Sequence, residues 1–439
     1  MLPPRMAKSD LAGKHLSELH ADAARLGVPG YRMLRRERLI EEIADRDGDT
    51  APEPEPEPDD APAEADAAEA DAAEAEAKPR ERAPRERPEA ETEQVSGVLD
   101  RTYRGYGFLR LRGLEPAPGD VYISASQIRR CELRLGDLVS GPARQPERKE
   151  RYPALVHVDL VNGAEPEQAM GRPQLEDLTA VAPRRRLRLD PDPADLLTRA
   201  VDLLVPLALG QRVLVWAAPH SGRTTLLRGL AGAIQATPDR PALIVLLVDE
   251  RPEEATAWAE VLPDDELAVA TAEMSPREQA RVGKLALERA KRRAESGEDV
   301  VLIVDSLSRL ELAHGDAGGV KNLFGAGREL AEEGAGSLTV IATALDGAAD
   351  EGEARAAVEG TENALIRLDP ELAAAGIFPA LRVEDCRASD EEELREAAEL
   401  DAVRKLREEL AGKDPGDAAA LLRDRLESSR TNSELLESL

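Results

Sequence analysis

Four hydrophobic rhythms follow one another along the chain. Over residues 8–46, Leu16, Leu19, Ala23 and Leu26 recur at helical spacing, the pattern breaks at Gly27-Val28-Pro29-Gly30, and it resumes through Leu34, Leu39, Ile40 and Ile43. This predicts a small helical unit. Residues 47–94 have no rhythm: Pro-Glu repeats and Ala-Asp/Glu runs fill Asp47–Ala77 without a basic residue, and the mixed-charge run KPRERAPRER follows at 78–87. So little apolar surface cannot offset chain entropy, which predicts a disordered acidic linker. From 95 to 162, short alternating runs (SGVLDRTYRGYGFLRLRG, DVYIS, DLVSGPAR, YPALVHVDLVNG) separated by Gly and Pro predict a small antiparallel barrel. From 175 to 439, the strand-like runs RVLVWA, ALIVLLVD, VVLIVD and LTVIATAL alternate with helical stretches such as 276–294, the rhythm of a parallel sheet covered by helices. The tail, 391–439, repeats Leu400, Val403, Leu406 and Leu410 at helical spacing and is interrupted at Pro415-Gly416. It is expected to pack on the sheet domain or on a neighbouring subunit.

Charge and composition narrow the function. The 439 residues carry 87 acidic against 58 basic side chains, a net charge of −29. A uniformly basic nucleic-acid coat is excluded, so any nucleic-acid site is local. The barrel segment departs from the rest: residues 96–163 hold eleven Lys/Arg against eight Asp/Glu. Two cysteines, Cys131 and Cys386, without metal-ligand spacing, argue against a disulfide framework and against structural zinc, and fit a reducing cytoplasm. No apolar run reaches membrane-span length and MLPPRMAKSD lacks a secretory apolar core, so a soluble, cytoplasmic protein without membrane contact is expected.

Five of the eight Phe and Tyr residues, Tyr103, Tyr106, Phe108, Tyr122 and Tyr152, fall in the barrel segment. Side chains 106 and 108 share a strand face, and Gly105 and Gly107 leave that face uncrowded. The expected product is a flat aromatic platform on which single-stranded bases stack, with Arg104, Arg110 and Arg151 on the phosphates. The competing reading is an ordinary barrel core; the Gly-aromatic-Gly-aromatic spacing favours stacking.

The strand RVLVWA runs into AAPHSGRTTLLRGL. This resembles a phosphate-binding loop, G-x-x-x-x-G-K-[ST], with Ala217 for the first Gly and Arg223 for the Lys, while Gly222 and Thr224 remain. Backbone N–H groups of such a loop cradle phosphate and its hydroxyl holds Mg²⁺. Two more apolar strands end in acids, at Asp249-Glu250-Arg251 and at Asp305. In this context Asp305 is the Mg²⁺-side carboxylate and Glu250 orients the attacking water.

Together these elements resemble the bacterial transcription termination factor Rho family over nearly the whole chain apart from 47–94. LGVPGYRMLRRERLIEEI resembles its N-terminal helical domain; GYGFLR (105–110), DVYISASQIRR (120–130), Gly136-Asp137 and ERYPAL (150–155) resemble its OB/cold-shock RNA-binding domain. LALGQR (207–212), APHSGRT (218–224), VLLVDERPEE (245–254), VDSLSRL (304–310), LFGAGREL (323–330) and GSLTVIATAL (336–345) resemble its RecA-type motor, and RTNSELLE its last helix. The implied fold is a small helical domain, an OB barrel, and an α/β P-loop domain with a helical tail. The implied RNA contacts are Gly105, Tyr106, Gly107, Phe108, Leu109, Arg110, Asp120, Val121, Tyr122, Glu150, Arg151 and Tyr152. The implied nucleotide contacts are Gly210, Gln211, Arg212, His220, Ser221, Gly222, Arg223, Thr224, Thr225 and Arg251, with Glu250 and Asp305 catalytic and Mg²⁺ at Thr224 and Asp305. The family implies ATP, single-stranded nascent RNA, an RNA polymerase complex as the target, and a homohexameric or mixed ring.

The departures from the family pattern cluster in the motor. The other P-loop Lys falls on His220; the first channel loop is shortened to AHGDAGGVKNLFG (313–325); Lys-Gly-Thr-Gly becomes Glu359-Gly360-Thr361-Glu362. The element carrying the trans-acting arginine finger reads Arg387-Ala388-Ser389-Asp390, and an Asp cannot stabilise transferring phosphate charge. Two functions follow from the resemblance: an RNA-dependent ATPase and translocase, or an RNA-binding regulator that does not hydrolyse nucleotide.

Overall fold

The computed structural model describes residues 92–147, 150–346 and 352–439, together with residue 40. Ile40, helical, belongs to a unit spanning Met1–Ala65, and everything else lies in the unit Asp66–Leu439. The helical unit predicted over 8–46 and the acidic tract fall outside the described residues, residue 40 excepted.

The barrel begins three residues before the boundary expected from sequence. Strand β1 (Thr92–Arg101) is followed by β2 (Gly107–Arg110), β3 (Val121–Ile123), helix α1 (Ala125–Arg130), β4 (Leu138–Arg144), β5 (Ala154–Leu155) and β6 (Leu160–Val161). Thr92, Glu93 and Gln94, expected at the end of the linker, pair with Arg144, Ala143 and Pro142. The order β1-β2-β3-β5-β4-β6 is closed by β1 pairing β4. Closure removes the exposed strand edges. Ladders are antiparallel as expected, apart from a parallel β3–β5 contact at Tyr122 and Ala154. Alternation puts Leu99, Leu109, Val121, Ile123 and Val139 in the barrel core, and Phe108, Arg110 and Tyr122 on the opposite face.

The α/β domain is built on β7 (Arg212–Ala217), α2 (Arg223–Gln235), β8 (Ala242–Glu250), β9 (Leu267–Thr271), α3 (Pro276–Glu295), β10 (Asp299–Asp305), α4 (Leu307–His314), α5 (Ala317–Gly325), β11 (Ser337–Leu345), α6 (Gly352–Val358), β12 (Ala364–Arg367) and β13 (Arg387–Ala388). Its sheet runs β9-β8-β10-β11-β7-β12-β13, parallel up to β12, with β13 antiparallel at the edge. The central strands are mostly apolar and buried because helices cover both faces. All parallel strands present their carboxyl ends at one edge, which is where such sheets bind ligands. The tail forms helices 397–410, 415–427 and 432–437, and Leu406, Leu410, Leu422, Leu426 and Leu435 join the domain's own core. The segment 313–325, expected as a shortened loop, is mostly helix: Gly315 at φ +76° ends α4, and Asp316 caps α5 through the amides of Gly318 and Gly319.

Barrel and motor meet along α3. The backbone at Gly136 lies so close to Glu288 and Arg289 that a Cβ there would sit 2.5 Å from the Glu288 carbonyl carbon. Arg281 reaches back to Asp100 at 3.0 Å, Glu115 accepts the Val269 amide, and burial pulls the Arg289 guanidinium down to about 10.

Candidate RNA face and nucleotide site

On the outer face of the barrel, Tyr106, Phe108, Tyr122 and Tyr152 form one aromatic cluster with Ala125, separate from the barrel core. Phe108 sits opposite Tyr122 in the β2–β3 ladder, and their ring centroids are 6.1 Å apart. Tyr152 meets Phe108 at 4.9 Å and 63°, and Tyr106 meets Phe108 at 6.0 Å and 81°. Edge-to-face packing of this kind is the favourable geometry for rings in mutual contact. It corrects the expected flat platform: Tyr106 is 4% and Phe108 7% exposed, each covered by its neighbours. Tyr122 and Tyr152 are half-buried, and Arg151, exposed, lies 5.6 Å over the Tyr152 ring. The ring most open to solvent is Tyr103, at 77%, whose hydroxyl accepts the Arg104 Nε–H at 3.0 Å.

Several expected RNA contacts turn out to be scaffold. Leu109 and Val121 point into the barrel, as strand alternation requires. Arg110 is buried between two acids: its guanidinium pairs with Asp100 and, at 2.5 Å, with Asp120. Its charge is spent on those carboxylates, so it holds the face up from beneath. Glu150 is taken by Arg144 at 2.5 Å. Gly107 does not serve to uncrowd the rings; a Cβ there would lie 2.7 Å from Leu99 and 2.9 Å from the Asp100 carbonyl, so close packing on β1 excludes a side chain. Gly105, at φ +95°, makes the turn that leads into β2.

At the nucleotide site, β7 delivers the chain to a tight loop. His220 at φ +63° and Gly222 at φ +92° bend it, the Ser221 hydroxyl donates to the Ala218 carbonyl at 2.7 Å, and α2 starts at Arg223. Gly222 is the N-cap, has open space where a Cβ would stand, and the first turn of α2 carries no acid. The helix amides thus present the positive end of the helix dipole to an anion at this opening of the loop. Thr224, half-buried, and Thr225, exposed, follow in that turn. Gly210, Gln211 and Arg212 are not part of this opening. They stand at the other end of β7, where Gly210 bonds Thr339, Gln211 bonds the Ala208 amide, and Arg212 bonds the carbonyls of Thr361 and Gly327.

The two acids do arrive beside the loop, and Arg223 closes on both. Its Nη2 donates to Glu250 Oε1 at 3.0 Å and its Nε lies 3.0 Å from Asp305 Oδ1, though poorly aligned for a hydrogen bond. Arg309, a residue absent from the expected site, adds a second guanidinium on Glu250 Oε1 and bonds the Val248 carbonyl at 3.4 Å. A helical signal pointed to it: Arg309 lies one turn after Asp305, its amide capped by Ser306. Asp305 also accepts the Thr343 hydroxyl at 3.0 Å, and burial raises its carboxyl while Arg223 pulls it back. Arg251 is exposed at the start of helix 252–259. A divalent cation between Thr224 and Asp305 would stand beside the Arg223 guanidinium, which lies 3.0 Å from Asp305 Oδ1, and the two positive charges fit this donor set poorly. Among the described residues no three His, Cys, Asp or Glu side chains converge as metal ligands.

Around Asp390 the neighbouring arginines are each paired with an acid. Asp390, exposed at φ +54°, stands at the N-cap position of helix 391–394 without a side-chain capping bond, beside a cavity of about 630 Å³ that Arg387, Arg404 and Arg407 also line. Each of these arginines has a carboxylate: Glu362 at 2.9 Å, Glu392 at 3.1 Å and Glu391 at 2.5 Å. Arg382 is held by Asp369 at 2.9 Å. A feature without a sequence signal is Trp216 at the end of β7, its indole sandwiched by Arg355 at 3.4 Å and Arg367 at 4.1 Å.

Two family models match the chain: the Rho termination factor RNA-binding domain at residues 95–167, and the nucleotide-binding domain of the ATP synthase alpha/beta family at 198–322. Transcription termination factor Rho of Aquifex aeolicus is 39% identical over 369 residues, which cover 79% of this chain and 84% of that protein. The Bacillus subtilis factor is 38% identical over 354 residues, 76% of this chain and 82% of that one. Against the Streptomyces lividans factor the identity is 40% over 78% of this chain, which spans only 51% of that relative. An ATPase of a bacterial type III secretion system is similar at 21% identity and a TM-score of 0.48, over 60% of this chain and 86% of that one. Barrel, motor and sequence likeness agree: the chain belongs to the transcription termination factor Rho family.

Proposed function

We propose that this chain is a Rho-type regulator of transcription that binds single-stranded nascent RNA through its barrel and binds ATP in its motor without using it as an ordinary translocase would. The observation that carries this reading is the state of Glu250. A carboxylate that orients an attacking water turns a basic oxygen toward it; here two guanidiniums, Arg223 and Arg309, hold Oε1 and draw down the carboxylate's basicity, while Oε2 meets the Arg251 amide at 3.4 Å. With Asp390 where a neighbour's cation acts, the site keeps a base held by two cations and lacks its charge clamp, and an arginine finger alone contributes about 10³–10⁵ in rate. RNA binding rests on Tyr106, Phe108, Tyr122 and Tyr152, with Arg151 beside them. The partners are an RNA polymerase complex and a ring of six, of its own copies or mixed with an active relative, in the bacterial cytoplasm; among the described residues no helix is long and apolar enough to cross a membrane.

A working RNA-dependent ATPase and translocase, with Mg²⁺ at Thr224 and Asp305, is the second reading, favoured by the retention of Glu250, Arg251 and Asp305 in the expected order. Titrating pyrimidine-rich single-stranded RNA into the full chain with ATP, while following anisotropy and phosphate release together, separates the two. Saturable RNA binding without RNA-stimulated release supports the regulator. Release at about 1–100 s⁻¹ returns the translocase.

A further inference from the structure

The Arg223–Glu250–Asp305–Arg309 set bears on what kind of ligand the nucleotide site accepts. In a P-loop NTPase the Lys is a compact point charge that reaches the phosphates, and the metal, held by the loop hydroxyl and the strand-end Asp, is the largest positive charge present. Here one planar guanidinium spans both strand-end acids, 3.0 Å from Glu250 Oε1 and 3.0 Å from Asp305 Oδ1. The two carboxylates are almost wholly removed from solvent, and a second guanidinium, Arg309, sits on Glu250. Two acids and two arginines leave this cluster formally neutral. The Arg223 Nε and the Thr343 hydroxyl both fall on Asp305 Oδ1, so a divalent cation bound at the other oxygen would stand beside a guanidinium that stays protonated and repels it. The anion-facing half of the site is undisturbed: the α2 amides open behind Gly222, and no acid lies in the first turn.

We propose that this site takes a nucleoside di- or triphosphate free of divalent cation, with Arg223 supplying the positive charge that Mg²⁺ supplies in the rest of the family. The inference rests on the reading that the P-loop binds nucleotide. Phosphate oxygens meet the α2 amides on one side and the outer edge of the guanidinium on the other, while the inner edge stays on Glu250 and Asp305. The hydroxyl of Thr224 bonds phosphate directly. No hydrolytic step follows from this arrangement, because Glu250 remains paired and no metal activates the transferred group.

The experiment is isothermal titration of ADP into the full chain, once in EDTA and once in millimolar Mg²⁺, repeated with Arg223→Lys. The unaltered chain is expected to give the same Kd in both buffers within about threefold. Arg223→Lys, which removes the fork but keeps a cation, is expected to bind at least about tenfold tighter with Mg²⁺ than without. Tightening of tenfold or more by Mg²⁺ in the unaltered chain overturns the proposal and leaves the nucleotide reading standing. If ADP binds in neither buffer, the nucleotide reading itself fails and takes this inference with it.

Discussion

The barrel and the motor use the same device to different ends. In the barrel, Arg110 lies buried between Asp100 and Asp120, under the aromatic cluster, and its guanidinium stands 5.8 Å over the Phe108 ring. In the motor, Arg223 lies between Glu250 and Asp305, where the reacting phosphate belongs. An arginine between two acids is electrostatically self-sufficient, and burying it stabilises only what rests on it. Beneath the RNA face that rigidity supports a binding surface. Inside the nucleotide site, on the function proposed above, the same pairing holds Glu250 and Arg223 away from catalysis.

The largest effect is expected where the comparison leans hardest on the barrel. Replacing Tyr106 and Phe108 by Ala removes the two rings that back the half-exposed Tyr122 and Tyr152, each worth about 1–3 kcal/mol to a stacked base, so RNA affinity should fall by about thirtyfold or more at fixed salt. Both rings are also buried, so the variant's melting curve must be measured alongside, with Tyr152→Ala as the half-exposed control. Unchanged affinity in anisotropy would remove the aromatic cluster from RNA binding.

Next in size is Arg110→Leu. It strands Asp100 and Asp120 in the barrel wall, at an expected cost of about 3–5 kcal/mol in the barrel's unfolding free energy. A change below about 1 kcal/mol by denaturant titration would show that the triad is not the support described above.

A smaller, pH-dependent effect is expected for Arg223→Gln. Burial already holds the Asp305 carboxyl above its ordinary range, and Arg223 opposes that rise. An acid whose folded value is raised costs nothing below about pH 4 and destabilises progressively as pH climbs through the folded value. Loss of Arg223 extends that rise, so the melting temperature of Arg223→Gln should fall further behind the unaltered chain at pH 8 than at pH 5. An equal deficit at both values would mean that Arg223 does not neutralise Asp305.

Much of this was legible in the sequence, and the remainder has identifiable reasons. The strand-loop-helix around Gly222 and the acids closing two apolar strands followed from local pattern, because a parallel sheet brings all strand carboxyl ends to one edge. Period-two alternation likewise put Phe108 and Tyr122 on a shared face. The same alternation separates Leu109, in the barrel core, from Phe108, a difference that a motif likeness such as GYGFLR does not carry, and Gly210–Arg212 stand at the far end of β7. What pattern alone could not supply was partnership. Arg223 lies 27 residues from Glu250 and farther still from Asp305, and Arg110 bridges two acids in different segments. Whether a charge is free or spent is decided only by tertiary packing, which is why two arginines expected on phosphates turned out to be buried on carboxylates.

The central claim, that RNA binding persists while the motor's chemistry does not, is tested most directly by steady-state phosphate release at saturating RNA, comparing the unaltered chain with Glu250→Ala. The account predicts the same background rate for both, and a rise only when Arg223→Lys and Asp390→Arg are combined. Turnover of about 1–100 s⁻¹ by the unaltered chain, abolished by Glu250→Ala, would contradict it.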